Sequence, residues 1–325
     1  HVEMVSNLGP GVYKSDGHNQ RTWYFSGTAR QLQVFGLVNF VKAQLAGKLV
    51  YMEHENILLR QHFARAQQRI SSFFKSELND SLNRFHSVIF LEEKEAEFQS
   101  EGLLSLELPN DTFKLNQDLV QARGEAFFRY QLGINAYAKP WLGSGLPYYY
   151  KYRYIKKNFP SKRWVPYASG LLGKLLDLDE FDYAYQNQFL YLFLARQGLD
   201  QALTTPTDSL SRLNYEGMAQ AKTFLAFDHL RAYTGERNFK RSMARFAAAK
   251  RPTPQKLQNS FNYYAVKPVN WFFDSYLPSN EIYDYRLKQI DHCPTVTTAT
   301  VQNLGAQNIP YSLTGKRVWV AGHQG

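Results

Sequence analysis

Along the first 37 positions the apolar residues fall in short runs separated by turn formers. Residues 1–6, 21–26 and 31–37 read as short strands, and Gly9-Pro10-Gly11 reads as a turn. From about Gly47 to Leu78 the spacing becomes helical. Ile57, Leu58, Phe63, Ala66, Ile70, Phe73 and Phe74 fall close to one face at a period of about 3.6 residues. Ser87–Leu91 reads as an apolar strand, and residues 103–108 as another. Asn116 is placed to cap a helix with Asp118 in its first turn and Gly133 as its stop; Leu119, Ala122, Ala126 and Phe127 form its buried face. Beyond Tyr148 one helix follows another, clearest over residues 183–196, 216–233, 237–250 and 269–276. Residues 284–320 return to strand-like alternation, with turns at Asn303-Leu304-Gly305 and Thr314-Gly315. Strands, a mixed segment, a helical segment and strands again suit an α+β fold better than an alternating parallel sheet.

Composition narrows this picture. A chain of 325 residues can bury a large core in one domain or two lobes. With 22 Tyr and 23 Phe it has too many aromatic residues for a disordered chain. The single cysteine, Cys293, excludes an internal disulfide framework and a Cys-rich metal site. No apolar run reaches the length of a membrane span, so no transmembrane segment is expected. No signal peptide is visible, and a start at His1 suits a mature form or a fragment. The formal charge is +10, with basic stretches at 151–163 and 237–251. Tyr152, Tyr154 and Trp164 interleave the first stretch, a mixture that suits a nucleic-acid backbone. A solvated helix end with its aromatics turned into the core is the preferred reading, so no nucleic-acid partner is expected.

Positions 139–150 read Lys-Pro-Trp-Leu-Gly-Ser-Gly-Leu-Pro-Tyr-Tyr-Tyr. This segment resembles the P-W-L-[DN]-E-G-L-x-x-Y stretch of the aminopeptidase N family, zinc metallopeptidases of the gluzincin group. Three further stretches are similar to the family's pattern and occur in its order. They are Gly217 with the apolar helix leading to Gly235-Glu236-Arg237-Asn238-Phe239, then Asn270-Trp271-Phe272-Phe273-Asp274-Ser275-Tyr276-Leu277, then Asp284-Tyr285-Arg286-Leu287. The resemblance implies a thermolysin-like domain over residues 41–285, with a mixed α/β lobe and a mostly helical lobe. It implies the tail of an N-terminal β domain over 1–40 and the start of a truncated β-sandwich over 286–325. An extracytoplasmic, bacterial setting and a native chain continuing past Gly325 go with it.

The same resemblance implies what is missing. Family members place two imidazoles at helical i, i+4 spacing on one metal, with a Glu between them as general base. The matching positions here are Gln121-Ala122-Arg123-Gly124-Glu125, and the third zinc ligand falls on Ser144. A register shifted by four, Glu125-Ala126-Phe127-Phe128-Arg129, supplies no histidine either. The Glu that grips the substrate amine falls on Leu104 in Ser100-Glu101-Gly102-Leu103-Leu104-Ser105, with Glu101 out of register. The tyrosine that stabilises the tetrahedral intermediate falls on Asn214, beside Tyr215. An amide, a methyl group, one carboxylate and a hydroxyl do not make a zinc site. The expectation is a catalytically inactive pseudopeptidase without metal or cofactor that binds a peptide or protein partner. Glu101, Gly102, Leu104, Trp141 and Tyr148 are candidates for lining a cleft between the lobes, with Gln121, Glu125 and Ser144 at its floor. The alternative is an active zinc-dependent aminopeptidase in which Glu125, Glu101 and a histidine such as His86 gather the metal.

Other groups carry less. His54-Glu55 and His62 lie two helical turns apart, about 12 Å of rise, too far for one small ion. Asp228-His229 are neighbours on a helix and do not face each other. His292-Cys293 reads as part of a strand, and the acidic stretch 92–97 as a solvated loop. Tyr148, Tyr149, Tyr150, Tyr152 and Tyr154 either line a peptide groove or divide between core and rim. The nucleotide-binding patterns G-x-x-x-x-G-K-[ST] and G-x-G-x-x-G are absent.

Overall fold

Ala46 and Gly47 take positive φ angles, 48° and 74°, and so close a tight hairpin between β5 (Val41–Leu45) and β6 (Lys48–Met52). The helical pattern expected from Gly47 therefore begins later. Val50, Tyr51 and Met52 are all buried, because β6 is covered on both faces and shows no alternation. In the computed structural model, residues 2–15, 17, 20–80, 85–92, 98–163, 182–281, 285–292, 297–304, 310–313 and 318–320 are described. Trp164, Asp284, Cys293, the turns at Gly305 and Thr314-Gly315, the acidic residues 93–97, and His1, His18 and His323 lie outside them. The fold is mixed α/β, and its contacts form two units: His1–Leu132 with Tyr150–Asn158, and Gly133–Tyr149 with Phe159–Gly325.

In the first unit β1 (Val2–Ser6) pairs antiparallel with β4 (Val34–Val38), and β2 (Val12–Ser15) with β3 (Arg21–Tyr24). A five-stranded sheet adds β7 (Ser87–Leu91), β8 (Phe98–Gln99) and β9 (Leu103–Glu107) in the order β5-β6-β7-β9-β8. Strands β6, β7 and β9 run parallel, and the edge strands β5 and β8 run antiparallel to them. Val5 and Leu37 pack with Tyr51, Ile89 and Leu103, so the β1–β4 pair is seated on this sheet.

Helix α1 (Ile57–Leu78) forms the crossover between β6 and β7. Asn56 caps it by accepting the Leu59 N–H at 2.8 Å, and Asn79 ends it at φ 55°. Phe63, Ala66, Ile70, Phe73 and Phe74 are buried as their spacing predicts, whereas Ile57 and Leu58 are 65% and 67% exposed. In the first turn the buried stripe has not yet begun. Helix α2 (Thr112–Glu125) is capped by Asp111, which accepts the Lys114 N–H at 2.6 Å. The expected cap, Asn116, is instead buried within the helix. Its amide donates to the Thr112 carbonyl at 2.7 Å, and its oxygen accepts the Tyr154 hydroxyl at 2.6 Å. A π-helical turn, Ala126–Gln131, prolongs α2, and Gly133 at φ 69° follows it. Tyr150 and Tyr154 of α3 (Leu146–Asn158) pack against Phe128 at 5.9 Å and Phe73 at 5.4 Å between ring centres.

The second unit is built from α4 (Tyr185–Arg196), a π-helical turn Tyr215–Lys222 running into α5 (Thr223–Thr234), α6 (Glu236–Ala247) and α7 (Pro254–Tyr264). Two further π-helical turns, Trp141–Gly145 and Trp271–Tyr276, belong to it. Trp141, Tyr149, Phe239 and Phe272 surround Phe227 in its core. The strand pairs β10 (Tyr285–His292) with β11 (Thr297–Asn303), and β12 (Tyr311–Leu313) with β13 (Val318–Val320), close the chain. Among the described residues no helix is long and apolar enough to cross a membrane.

Candidate functional site

One side of α2 carries the half-buried Lys114, Gln117, Asp118 and Gln121 and the buried Ala122 at helical spacing. These residues face Gln99 of β8 and Leu104, Ser105 and Leu106 of β9 across a cavity of about 410 Å³, and Lys151 of α3 completes the wall. All of these residues belong to the first unit. The Gln99 amide donates to the Ala122 carbonyl at 2.8 Å and ties the edge of the sheet to α2. The Gln121 amide donates to Glu125 at 2.7 Å, and Arg129 approaches the other Glu125 oxygen at 3.3 Å. The Gln121 side-chain oxygen is buried without a hydrogen-bond partner. Lys114 and Asp118 form an ion pair at 2.8 Å. Burial pushes the Lys151 ammonium down to about 8, against the pull of Asp118 and Glu125 and with a small push from Lys114.

Three positions singled out in the sequence, Leu104, Gln121 and Ala122, thus meet in one cavity, and Glu125 holds Gln121 from one turn along. Gly102 lies before β9 at φ 93°, where an alanine Cβ would stand 2.6 Å from His86 Nε2 and 2.9 Å from the Asn7 carbonyl oxygen. Its part is to let backbone and imidazole approach. Gly102→Ala is expected to cost roughly 2 kcal/mol, seen as a lower urea midpoint at unchanged slope. Glu101 is half-buried beside it and does not line the cavity. In the second unit Ser144 and Trp141 are buried, and Trp141 stacks on Phe227 at 6.1 Å. The Tyr148 hydroxyl donates to Asn187 at 2.9 Å. Asn214 donates to the Leu199 carbonyl at 3.1 Å, and Tyr215 is half-buried at the start of the π-helical turn. Tyr149, Tyr150, Tyr152 and Tyr154 are buried, so these four serve the core.

The donor set does not suit zinc. Gln121 offers an amide and Ala122 a methyl group, and among the described residues no three of His, Cys, Asp and Glu gather into one group. His86 has both ring nitrogens engaged, Nε2 with the Asn7 carbonyl at 3.1 Å and Nδ1 with the Ser87 hydroxyl at 2.9 Å. Burial lowers its pKa, the Asn7 contact opposes this, and the nearby charge of Lys48 adds to the lowering. Asp228 pairs with Arg231, while the His229 ring lies edge-on to Trp271. Sequence reasoning missed Lys151, placed in a stretch read as solvated. On a helix it stands one residue from buried Tyr150 and three from buried Tyr154, which puts it at the border of the inward face.

No family model and no curated protein matches the sequence. Solved structures do. The M1 zinc metallopeptidase from Deinococcus radiodurans aligns over 86% of this chain and 61% of its own, with 15% identity and a TM-score of 0.56. A point mutant of it bound to a Tyr-Ser-Ala substrate aligns over 86% and 62%, with 14% identity and a TM-score of 0.57. The fold is that of M1 zinc metallopeptidases. A two-domain M1 zinc metallopeptidase mutant bound to L-tryptophan gives 13% identity and a TM-score of 0.58 over the same shares of both chains. The chain therefore spans about three-fifths of the length of these peptidases.

Proposed function

We propose that this chain is a catalytically inactive, peptidase-like module of the aminopeptidase N type that binds peptide segments of a ligand or partner protein. The observation that carries this reading is the cavity beside α2. Its wall holds Gln121, Ala122 and Leu104, where the family's resemblance implies a metal ligand, the general base and the amine anchor. A peptide-sized space is kept while the groups for hydrolysis are exchanged for an amide, a methyl and an isobutyl group. Peptide and amino-acid ligands in the solved relatives support the ligand class. The division into residues 1–40, 41–285 and 286–325, and an extracytoplasmic bacterial setting, belong to the same reading.

The competing reading is an active zinc-dependent aminopeptidase with an atypical site. Calorimetry with N-acetyl and free tripeptides, run beside hydrolysis of amino-acid anilides in added zinc, separates the two. Binding without turnover is the expected result. Turnover that a chelator abolishes, and that Glu125→Ala removes, would establish the enzyme instead.

A further inference from the structure

Residues 236–268 carry eight Lys and Arg against one acidic residue, Glu236, an excess of seven within a chain whose formal net charge is +10. They form α6 and α7 with the segments that join and follow them. The apolar side chains of both helices turn inward: Phe239, Met243 and Phe246 of α6 are buried, as are Leu257 and Phe261 of α7. Arg237, Arg241 and Arg245 stand four residues apart on the other side of α6, all exposed. Glu236 is engaged by Arg231 at 3.0 Å and Lys240 at 3.2 Å, and Asp274 reaches Gln258 of α7 at 3.1 Å, taking one further charge from the excess.

The end of α7 adds a second feature. The Arg241 guanidinium lies 4.7 Å from the centre of the Tyr264 ring, and that of Arg245 4.1 Å from Tyr263. The two rings meet edge to face at 4.8 Å. A ring face fixes the plane of a guanidinium without cancelling its charge. Tyr263 is 65% exposed, and Val266, two residues past the helix, is 90% exposed with Lys267 beside it. The core has no use for either side chain. We propose that this face docks the protein on an anionic lipid bilayer. Arg237, Arg241, Arg245 and Lys267 meet lipid phosphates, and Tyr263 and Val266 enter the headgroup layer. Guanidinium forks pair with phosphate bidentately, and clusters of four or more cations are drawn to an anionic leaflet. Tyrosine suits the boundary between water and lipid, and an apolar side chain adds a share of binding that salt does not screen. A nucleic-acid strand would meet the same cations, but an aliphatic tip such as Val266 offers it no surface for base stacking.

The experiment is flotation of the whole chain with phosphatidylcholine vesicles and with the same vesicles enriched in phosphatidylglycerol. The anionic vesicles are expected to bind roughly tenfold or more tightly, and less so as salt rises. Arg241→Gln combined with Arg245→Gln lowers that affinity roughly thirtyfold, as two cations are lost at the lipid surface. Lys156→Gln combined with Lys157→Gln removes the same formal charge from the other basic stretch and changes it less than about threefold. Val266→Ser weakens binding severalfold and leaves the salt dependence as it was. Equal affinity for the two kinds of vesicle overturns the inference. Equal losses in the two paired variants overturn it too, since net charge alone then attracts the lipid. An unchanged affinity in Val266→Ser removes the inserted tip, and with it the bilayer as partner; this variant decides the matter if the arginine pair does not fold. Tighter binding of a thymidine oligonucleotide than of anionic vesicles, lost with the arginine pair, makes nucleic acid the partner and overturns the inference. Every one of these outcomes leaves peptide binding at the cavity beside α2 untouched.

Discussion

Replacing Asp80 by alanine is expected to lower the unfolding free energy by about 3–5 kcal/mol, the usual loss when one partner of a buried ion pair is removed. Asp80 follows the end of α1, and its carboxylate pairs with Arg123 of α2, both almost fully buried. Gln131 also donates to Asp80 at 3.4 Å, and the Arg123 guanidinium lies 5.6 Å from the centre of the Phe74 ring. An arginine does not shed its proton when its partner is removed. The variant therefore keeps a buried cation whose main answering charge is gone. Arg123→Met in the same chain takes that cation away, and the double variant is expected to recover a large part of the loss. Urea unfolding of the two single variants and the double one gives the coupling directly. Additive losses would mean that the pair contributes nothing beyond its separate contacts. The pair also bears on the cavity. Arg123 stands on the turn that carries Gln121 and Ala122, so its hold on Asp80 fixes the rotation of α2 that presents them. Weakened peptide binding in Asp80→Ala is the corresponding functional result.

The sequence disclosed elements whose pattern has one meaning. The stripe from Phe63 to Phe74 is long enough to repeat at a helical period, and α1 follows it. Residues 48–52 are too short for that, and a strand buried on both faces has the same apolar run as a helix turn, so periodicity alone misreads β6. Asn116 has the side chain of a cap but is buried, and its role comes from Tyr154, a partner 38 residues away. Local sequence does not contain that contact. The candidate site divides in the same way. Gln121, Ala122 and Leu104 were visible because a family pattern fixes their positions, and they meet in one cavity. Lys151 was not, because its place depends on how α3 seats Tyr150 and Tyr154 among the aromatic side chains of α1 and the π-helical turn after α2. Whether a lysine at a helix border is solvated or buried is decided by that packing, which composition does not report.

Lys151→Met is expected to raise stability at neutral pH, by as much as about 3 kcal/mol. The folded chain holds this lysine near 8, below the ordinary 10.5. Between those values the unfolded chain binds more protons than the folded one, so stability rises with pH across that window. Below pH 8 the full cost of the buried ammonium is present, and above about 10.5 it is gone. Tyr51 and Tyr154, pushed up to about 12 by burial, act in the opposite sense above pH 10. They are common to both proteins, so they cancel when wild type and Lys151→Met are compared at each pH. The difference between the two is expected to be largest at pH 6–7 and to close towards pH 10.5. A difference that does not change with pH would show that methionine acts through packing alone. A gain in stability that fades towards pH 10.5 would show that the fold is better off without the charge of Lys151.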